Sequence, residues 1–506
     1  ESDGLGASGS GFPDDQVLTN LNSAAKKNSI SSSYSSNTLA SFLSRLEYKF
    51  NNRYLLTLNF RADGSSQFGP DKRWGYFPSG AVAWIITEEN FMKDYSNIVS
   101  YLKLRGSVGK TGSQNLGAYD WRTLMGSATY NGAAGIVPSS LGNDILQWEE
   151  QIQKEVGLDY GFWDDRIRGT LGYYQKKVDN LLYSDPVPTS SSFSSVYQNI
   201  GSLKNRGIEF DVRVDIIKNV QKDLTWNVDF NIARNRTTLE KLNSSDGYFG
   251  GGAYDYFKIE EGGETGRFYG YKDAGRLFMT NEELVGLKTI DPKTGTLKYY
   301  RDDYNYERQG DVYIMDLDGD GQITADGDRT VIGNANPDFF GGFGSTLYWK
   351  GLMLNAVFSY SVGGDRFWDE EKNSSGDMNV YNTSNRILDS WTVNPGVNAS
   401  YPRAMYYGWG SNSIITDRYI HDASYLRMTA LNLSYRLPKH LYKNSILNAV
   451  EFTFQATNLF TWTKYPGMDP QGNFSTSYSA FYNMGIDYSS YPSARTYNLG
   501  IKITLK

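Results

Sequence analysis

The chain of 506 residues has no cysteine, only two histidines and no apolar run long enough for a membrane-spanning helix. Without cysteine there is no disulfide framework, thiolate nucleophile or thiolate metal centre, although the absence fits several compartments. His421 and His440 lie far apart and read as strand-edge or turn residues, and no strand–nucleophile–helix context of the GxSxG type is present. Isolated Asp and Glu residues do not define a glycosidase pair, so no catalytic residue is assigned. Fifty Lys and Arg against 56 Asp and Glu give a net charge of -6, and basic patches interleaved with aromatics are missing. That balance argues against a nucleic-acid partner.

What is present is alternation. The mean hydropathy of -0.51 and the 21% charged residues suit a soluble protein by themselves. A transmembrane β-barrel has the same averages, because only every second strand residue faces lipid and long polar loops dilute the signal. Tyr497, Leu499, Ile501, Ile503 and Leu505 alternate with Asn498, Gly500, Lys502 and Thr504, the period of a half-buried strand. In 224–232, Leu224, Trp226, Val228, Phe230 and Ile232 alternate with Thr225, Asn227, Asp229 and Asn231. The same pattern predicts strands near 42–50, 53–63, 76–87, 100–111, 148–160, 166–178, 205–217, 224–237, 339–348, 352–362, 419–436, 447–460 and 495–505. Tight turns are expected at Asn51-Asn52, 161–165, 218–223 and Trp349-Lys350-Gly351, all on one rim. Residues 112–147, 179–204, 238–338, 363–418 and 461–494 are long connections on the other.

Short turns on one rim and long loops on the other are the layout of an outer-membrane barrel, with the long loops outside. The aromatic content of 15%, with 39 Tyr and 11 Trp, suits girdles at both membrane interfaces. A soluble β-sandwich would also show one polar face per strand, but its connections rarely run so long repeatedly and on one side. Thirteen spans that end inside must begin outside, whereas closed single-chain barrels of this type have an even strand number. The chain, opening on the loop-like ESDGLGASGSGFPDD, is therefore expected to be a fragment. Residues 1–41 read as an extracellular loop remnant and 42–506 as the C-terminal portion of a barrel. An odd number of N-terminal strands is expected from elsewhere.

Several runs carry a specific resemblance. Residues 60–87, FRADGSSQFGPDKRWGYFPSGAVAWIIT, are followed by Leu104 to Gln114, Trp148-Glu149, Gly157-Leu158-Asp159 and Asn205-Arg206-Gly207-Ile208-Glu209. Phe268-Tyr269-Gly270-Tyr271, DLDGDGQIT at 316–324, Ile332-Gly333-Asn334, Asn336-Pro337-Asp338-Phe339 and Gly341-Gly342-Phe343 come next. Asp422 to Met428, Asn458-Leu459-Phe460 and the closing YPSARTYNLGIKITL complete the series. In this order they resemble the SusC/RagA family of TonB-dependent outer-membrane transporters. The resemblance implies an antiparallel barrel of about 22 strands, of which this chain would carry thirteen, with the plug domain absent from it. It further implies import of oligosaccharides or oligopeptides with a SusD-like surface lipoprotein, energy from TonB acting through the plug, and a dimer of such pairs. Lys506 departs from the aromatic terminus of many members, while Leu505 still ends the apolar stripe. The alternative function is a surface adhesin or glycan-binding protein that uses a β platform without transport.

Two sets of site residues are expected in the long loops. Asp316, Asp318 and Asp320 at alternate positions, a Gly at the bend, a backbone carbonyl at Gln322 and apolar Ile323 reproduce the first two thirds of a calcium loop. Position 12 is Gly327, so closure of a structural Ca²⁺ site would fall to Asp328; the other reading is a solvated Asp/Gly turn. For substrate, Tyr119, Trp121, Trp391, Tyr406, Tyr407 and Trp409 offer flat amphipathic faces that stack on sugars or peptide side chains. Asp365, Arg366, Asp369, Glu370 and Glu371 could hydrogen-bond polar cargo, or form a solvated charged face. No organic cofactor is expected.

Overall fold

A computed structural model describes residues 2–12, 21, 24–219, 221–242, 248–249, 256–280, 289–290, 297–298, 309–376, 383–396, 399–404, 412, 414–442, 446–472, 484–488 and 490–505. Its dominant element is one antiparallel sheet of thirteen strands in sequential order. The strands are β1 (Leu39–Phe50), β2 (Tyr54–Ser65), β3 (Trp74–Ile85), β4 (Val99–Ser113), β5 (Glu149–Phe162), β6 (Ile167–Asp179) and β7 (Ser202–Asn219). They continue as β8 (Leu224–Lys241), β9 (Phe339–Trp349), β10 (Leu352–Val362), β11 (Tyr425–Arg436), β12 (Leu447–Thr463) and β13 (Thr496–Leu505). All thirteen coincide with the strands expected from alternation, and β1 and β13 hold the two ends of the order.

The turns explain themselves chemically. Asn51 and Asn52 adopt positive φ of 50° and 57°, the left-handed pair at the centre of a turn closed by Arg53 N–H donating to Phe50 O, and asparagine tolerates it best among residues with a Cβ. Trp163, Asp164 and Asp165 between β5 and β6, and Lys350 and Gly351 between β9 and β10, also lie in this region. One boundary differs from expectation. The run 419–436 is two strands, Ile420–Asp422 and β11, because Ala423 N–H donates to Gly364 O and Gly363 N–H to the Ser424 hydroxyl. Those bonds draw Ile420–Asp422 into a separate small sheet while alternation continues across the break.

One face of the large sheet is apolar and open to its surroundings: Leu43 is 71% exposed, Val156 57%, Ile208 50% and Leu499 86%. So much contiguous exposed apolar surface is a lipid-facing wall. Rings concentrate at both ends of it. Tyr48, Phe50 and Tyr54 stack in sequence beside the first tight turn, while Phe42 stacks on Trp74 with centroids 5.9 Å apart near the other rim. The opposite face carries ion pairs: Lys103 Nζ lies 3.1 Å from Asp159, Arg105 pairs with both Glu155 and Asp159, and Arg168 reaches Asp215 at 3.2 Å. Among the described residues no helix is long and apolar enough to cross a membrane.

The chain divides into two compact units, one of 1–83, 106–154 and 176–203, the other of 84–105, 155–175 and 204–506. In the first, Phe68, Phe77, Leu146 and Trp148 form a buried cluster under the connections that follow β2 and β4. In the second, the loop cores are Tyr256, Phe257, Phe268, Ile332, Phe367, Tyr419 and Ile486, and separately Leu277, Phe278, Val312, Ile314 and Ile323.

Candidate functional site

The long connections of the second unit are built around a three-stranded sheet in which Asp365–Trp368 pairs antiparallel with Ile420–Asp422 and parallel with Ile486–Asp487. Phe367 points into the aromatic loop core and is fully buried. The next residues turn acidic and inward. Asp369 accepts from the Tyr256 hydroxyl and from Asn373, both at 2.6 Å, and Glu371 accepts from Arg386 at 2.8 Å and the Tyr401 hydroxyl at 3.2 Å. His421 Nε2 stands 2.5 Å from the other Glu371 oxygen. The Arg386 guanidinium lies 4.5 Å from the Trp368 ring centroid. Asp369 and Glu371 are 1% and 5% exposed, so the solvated-face reading fails for both. Their environment satisfies the carboxylates with donors and cations, the condition under which buried charge is tolerated.

Asp365 and Arg366 lie at the entry to this sheet. Asp365 accepts from the Asn334 amide at 2.8 Å, and burial pushes its carboxyl above the usual carboxylate range. Arg366 donates to the Asp365 carbonyl at 3.1 Å, its Nε has no partner among the described residues, and burial lowers its guanidinium from the ordinary value. An arginine with donors in reserve is suited to an incoming carboxylate. Tyr465, whose hydroxyl donates to Asp487 at 2.7 Å, has its phenol pushed up by burial and by that bond.

The aromatic candidates are largely occupied by the protein itself. Trp391 packs on the Leu277–Ile323 core and covers Gly310. In the first unit Trp121 packs on the Phe68–Trp148 cluster, donates from Nε1 to Ser66 O at 3.2 Å and carries Arg122 on its ring at 4.5 Å. The Tyr119 hydroxyl accepts from the Ser36 amide. Tyr406, Tyr407 and Trp409 lie outside the described residues.

Of the calcium-loop residues, Asp316, Asp318 and Asp328 are brought together, with one carboxylate oxygen of each within 4.8 Å of the others. Asp320 is turned away to accept from the Gln322 amide at 2.8 Å. Asp316 accepts from Gly319 and Gly321, and buried Asp328 from Leu317 and Thr324 at 2.7 Å each. The short helix Ala325–Asp328, capped by the Thr324 hydroxyl, delivers Asp328 one position beyond the usual closing residue. The Asp320 amide alone would lower the Asp318 carboxyl, yet desolvation and the neighbouring Asp320 and Asp328 charges outweigh it and push it up. Three crowded hard oxygens fit a divalent oxygen-seeking cation.

The family described as "TonB dependent receptor-like, beta-barrel" matches residues 3–459. The chain belongs to that family. It is 33% identical over 495 residues to the TonB-dependent receptor P3 of Formosa agariphila, covering 93% of this chain and 46% of that protein. It is also 32% identical over 483 residues to the TonB-dependent receptor SusC of Bacteroides thetaiotaomicron, covering 92% and 44%. The solved RagAB peptide transporter superposes with a TM-score of 0.78 at 26% identity, covering 99% of this chain and 51% of that one. The chain thus spans about half the length of the curated relatives it matches. The SusC/RagA resemblance, the thirteen-stranded barrel sheet and the outer-membrane location stand on these likenesses together with the strand pattern.

The buried Glu371 network is what sequence reasoning missed. His421 and Glu371 are 50 positions apart, and no local pattern marks them. The one available signal was the density of acids in 365–371 directly after a strand-like run, which reads equally as contacts for cargo or as a solvated face.

Proposed function

We propose that this chain is the C-terminal barrel part of a SusC-like transporter that imports oligosaccharides or oligopeptides across the outer membrane. The observation that carries the reading is the combination of 32% identity to SusC with a TM-score of 0.78 to the RagAB peptide transporter. The preceding strands and a plug would come from the remainder of the protein, TonB would act through that plug, and a SusD-like lipoprotein would cap the long loops, in a dimer of such pairs. Cargo is received on the long-loop side, where Arg366 and Asp365 offer polar contacts and the loop network around Glu371 fixes their strand. Ca²⁺ held by Asp316, Asp318 and Asp328 would stiffen the connection that feeds Arg329–Asn334 toward Asp365. The test is a deletion of the gene, complemented in trans, with growth measured on defined oligosaccharides and on defined oligopeptides, and affinity purification of the complemented protein. Loss of growth on one class, with a co-purifying lipoprotein, supports the proposal. Unchanged growth on every polymer and no lipoprotein partner would sink it.

A further inference from the structure

Toward the long-loop rim of β7, β8 and β9 the lipid-facing wall opens into a groove of about 360 Å³. Ile208, Phe210, Ile232, Ala233 and Phe339 line it together with Arg234 and Asp338. The strand pattern dictates this composition. On β7 the outward stripe from Ile216 through Val214, Val212, Phe210 and Ile208 ends in Arg206, and on β8 the stripe from Leu224 to Ile232 ends in Arg234. In a strand every second residue shares a face, so both arginines continue the lipid-facing rows at the level where apolar side chains stop.

Arg206 and Arg234 are exposed, and neither has an ion pair or hydrogen bond among the described residues. The acid at the groove is already committed: Asp338 binds Arg236 Nη2 at 3.1 Å. Arginine at a membrane interface commonly reaches for water, and that alone specifies no ligand. Here, however, the unpaired Arg234 lines a concavity with a mostly apolar lining, and the unpaired Arg206 ends the outward row of the neighbouring strand. Long connections face the exterior, so the groove opens at the outer leaflet. Its complement is a molecule with an acyl chain below and a doubly accepting anion above. The planar guanidinium fork matches phosphate in two parallel hydrogen bonds.

We propose that this groove binds a phosphorylated acyl lipid of the outer leaflet, the chain lying on Ile208, Phe210, Ile232 and Phe339 and the phosphate on Arg234 and Arg206. The inference rests on the outer-membrane placement of the sheet and is independent of the cargo. It is tested by native mass spectrometry of the full-length protein purified in detergent, delipidated and titrated with diphosphoryl lipid A, with the same lipid lacking its phosphates, and with inorganic phosphate. The expected result is retention of the phosphorylated lipid at least tenfold above the dephosphorylated one, no adduct from inorganic phosphate, and a tenfold or greater loss in an Arg206→Gln/Arg234→Gln variant. Raising the salt should weaken retention by the unaltered protein, which supplies a reading independent of the variant's folding. Equal retention of both lipids would reduce the groove to part of the general lipid annulus and overturn the proposal. So would a variant that keeps its lipid but dissociates a protomer pair, because the occupant would then be a second copy of the protein.

Discussion

At the scale of single residues, the loops are held by buried ionic groups whose partners are distant in sequence. Arg427 is 4% exposed and donates to Asp469 at 2.6 Å, Gln471 at 2.5 Å and Thr461 at 2.9 Å. Arg427→Ala leaves the Asp469 carboxylate buried without its cation and is expected to cost about 3–5 kcal/mol, read as a lower midpoint in denaturant. Burial would raise the Asp469 carboxyl, but the Gln471 amide, Arg427 and the Ser493 amide outweigh it and hold it below the usual carboxylate range. A depressed folded value means that the contribution is full above the unfolded pKa and is lost as the pH falls through the folded one. The melting-temperature gap between the natural protein and Asp469→Asn should therefore narrow only in acid below the ordinary carboxylate range; a gap unchanged down to pH 2 would contradict this account. Asp328→Ala removes the buried acceptor of two backbone amides, those of Leu317 and Thr324, and is expected to cost about 1–3 kcal/mol locally. It should also abolish any Ca²⁺-dependent protection of 316–328 from protease, and protection that survives the substitution would exclude Asp328 as a ligand. The calcium-like triad was legible because its spacing is local. The Glu371–His421 pair was not, because tertiary packing alone joins it.

At the scale of the element, the two faces of each strand obey different solvents. Val228 and Asn227 are neighbours on β8 with opposite outlooks, one in the apolar row and the other across from Thr346 on β9. Val228→Arg is expected to destabilise by up to about 2–4 kcal/mol in lipid, whereas Asn227→Arg on the polar face should cost far less. Urea midpoints of the heat-modifiable band on a gel would measure both, and equal losses would mean the faces are misassigned. Alternation made all thirteen strands readable because its period survives any loop chemistry. It failed at Ala423-Ser424 because a change of hydrogen-bonding partner leaves no trace in which residues are apolar.

At the scale of the whole molecule, β1 and β13 each lie at an end of the strand order and carry rows of exposed apolar side chains, from Leu39 to Phe50 and from Tyr497 to Leu505. A sheet edge in hydrocarbon leaves amides and carbonyls without partners, at several kcal/mol for each group. Residues 1–506 expressed alone should aggregate in the periplasm, while co-expression with the segment that completes the length of the relatives should restore a heat-modifiable, protease-resistant band. A stable, folded product from this chain alone would overturn the view that its edges need partners. The order of strands also contains its own gauge. The Tyr360 hydroxyl on β10 passes over Gly341 of β9 to donate to Asn231 O on β8 at 2.8 Å, and Tyr160 on β5 passes over Gly169 of β6 to Asp211 O on β7 at 2.9 Å. A strand slipped by two residues would put a Cβ beneath each ring and move the carbonyl out of reach, so each tyrosine measures the alignment of three strands at once. A slipped alignment thereby forfeits a bond and meets a clash in one step, so the correct stagger is set apart from its neighbours by a fit that they cannot satisfy.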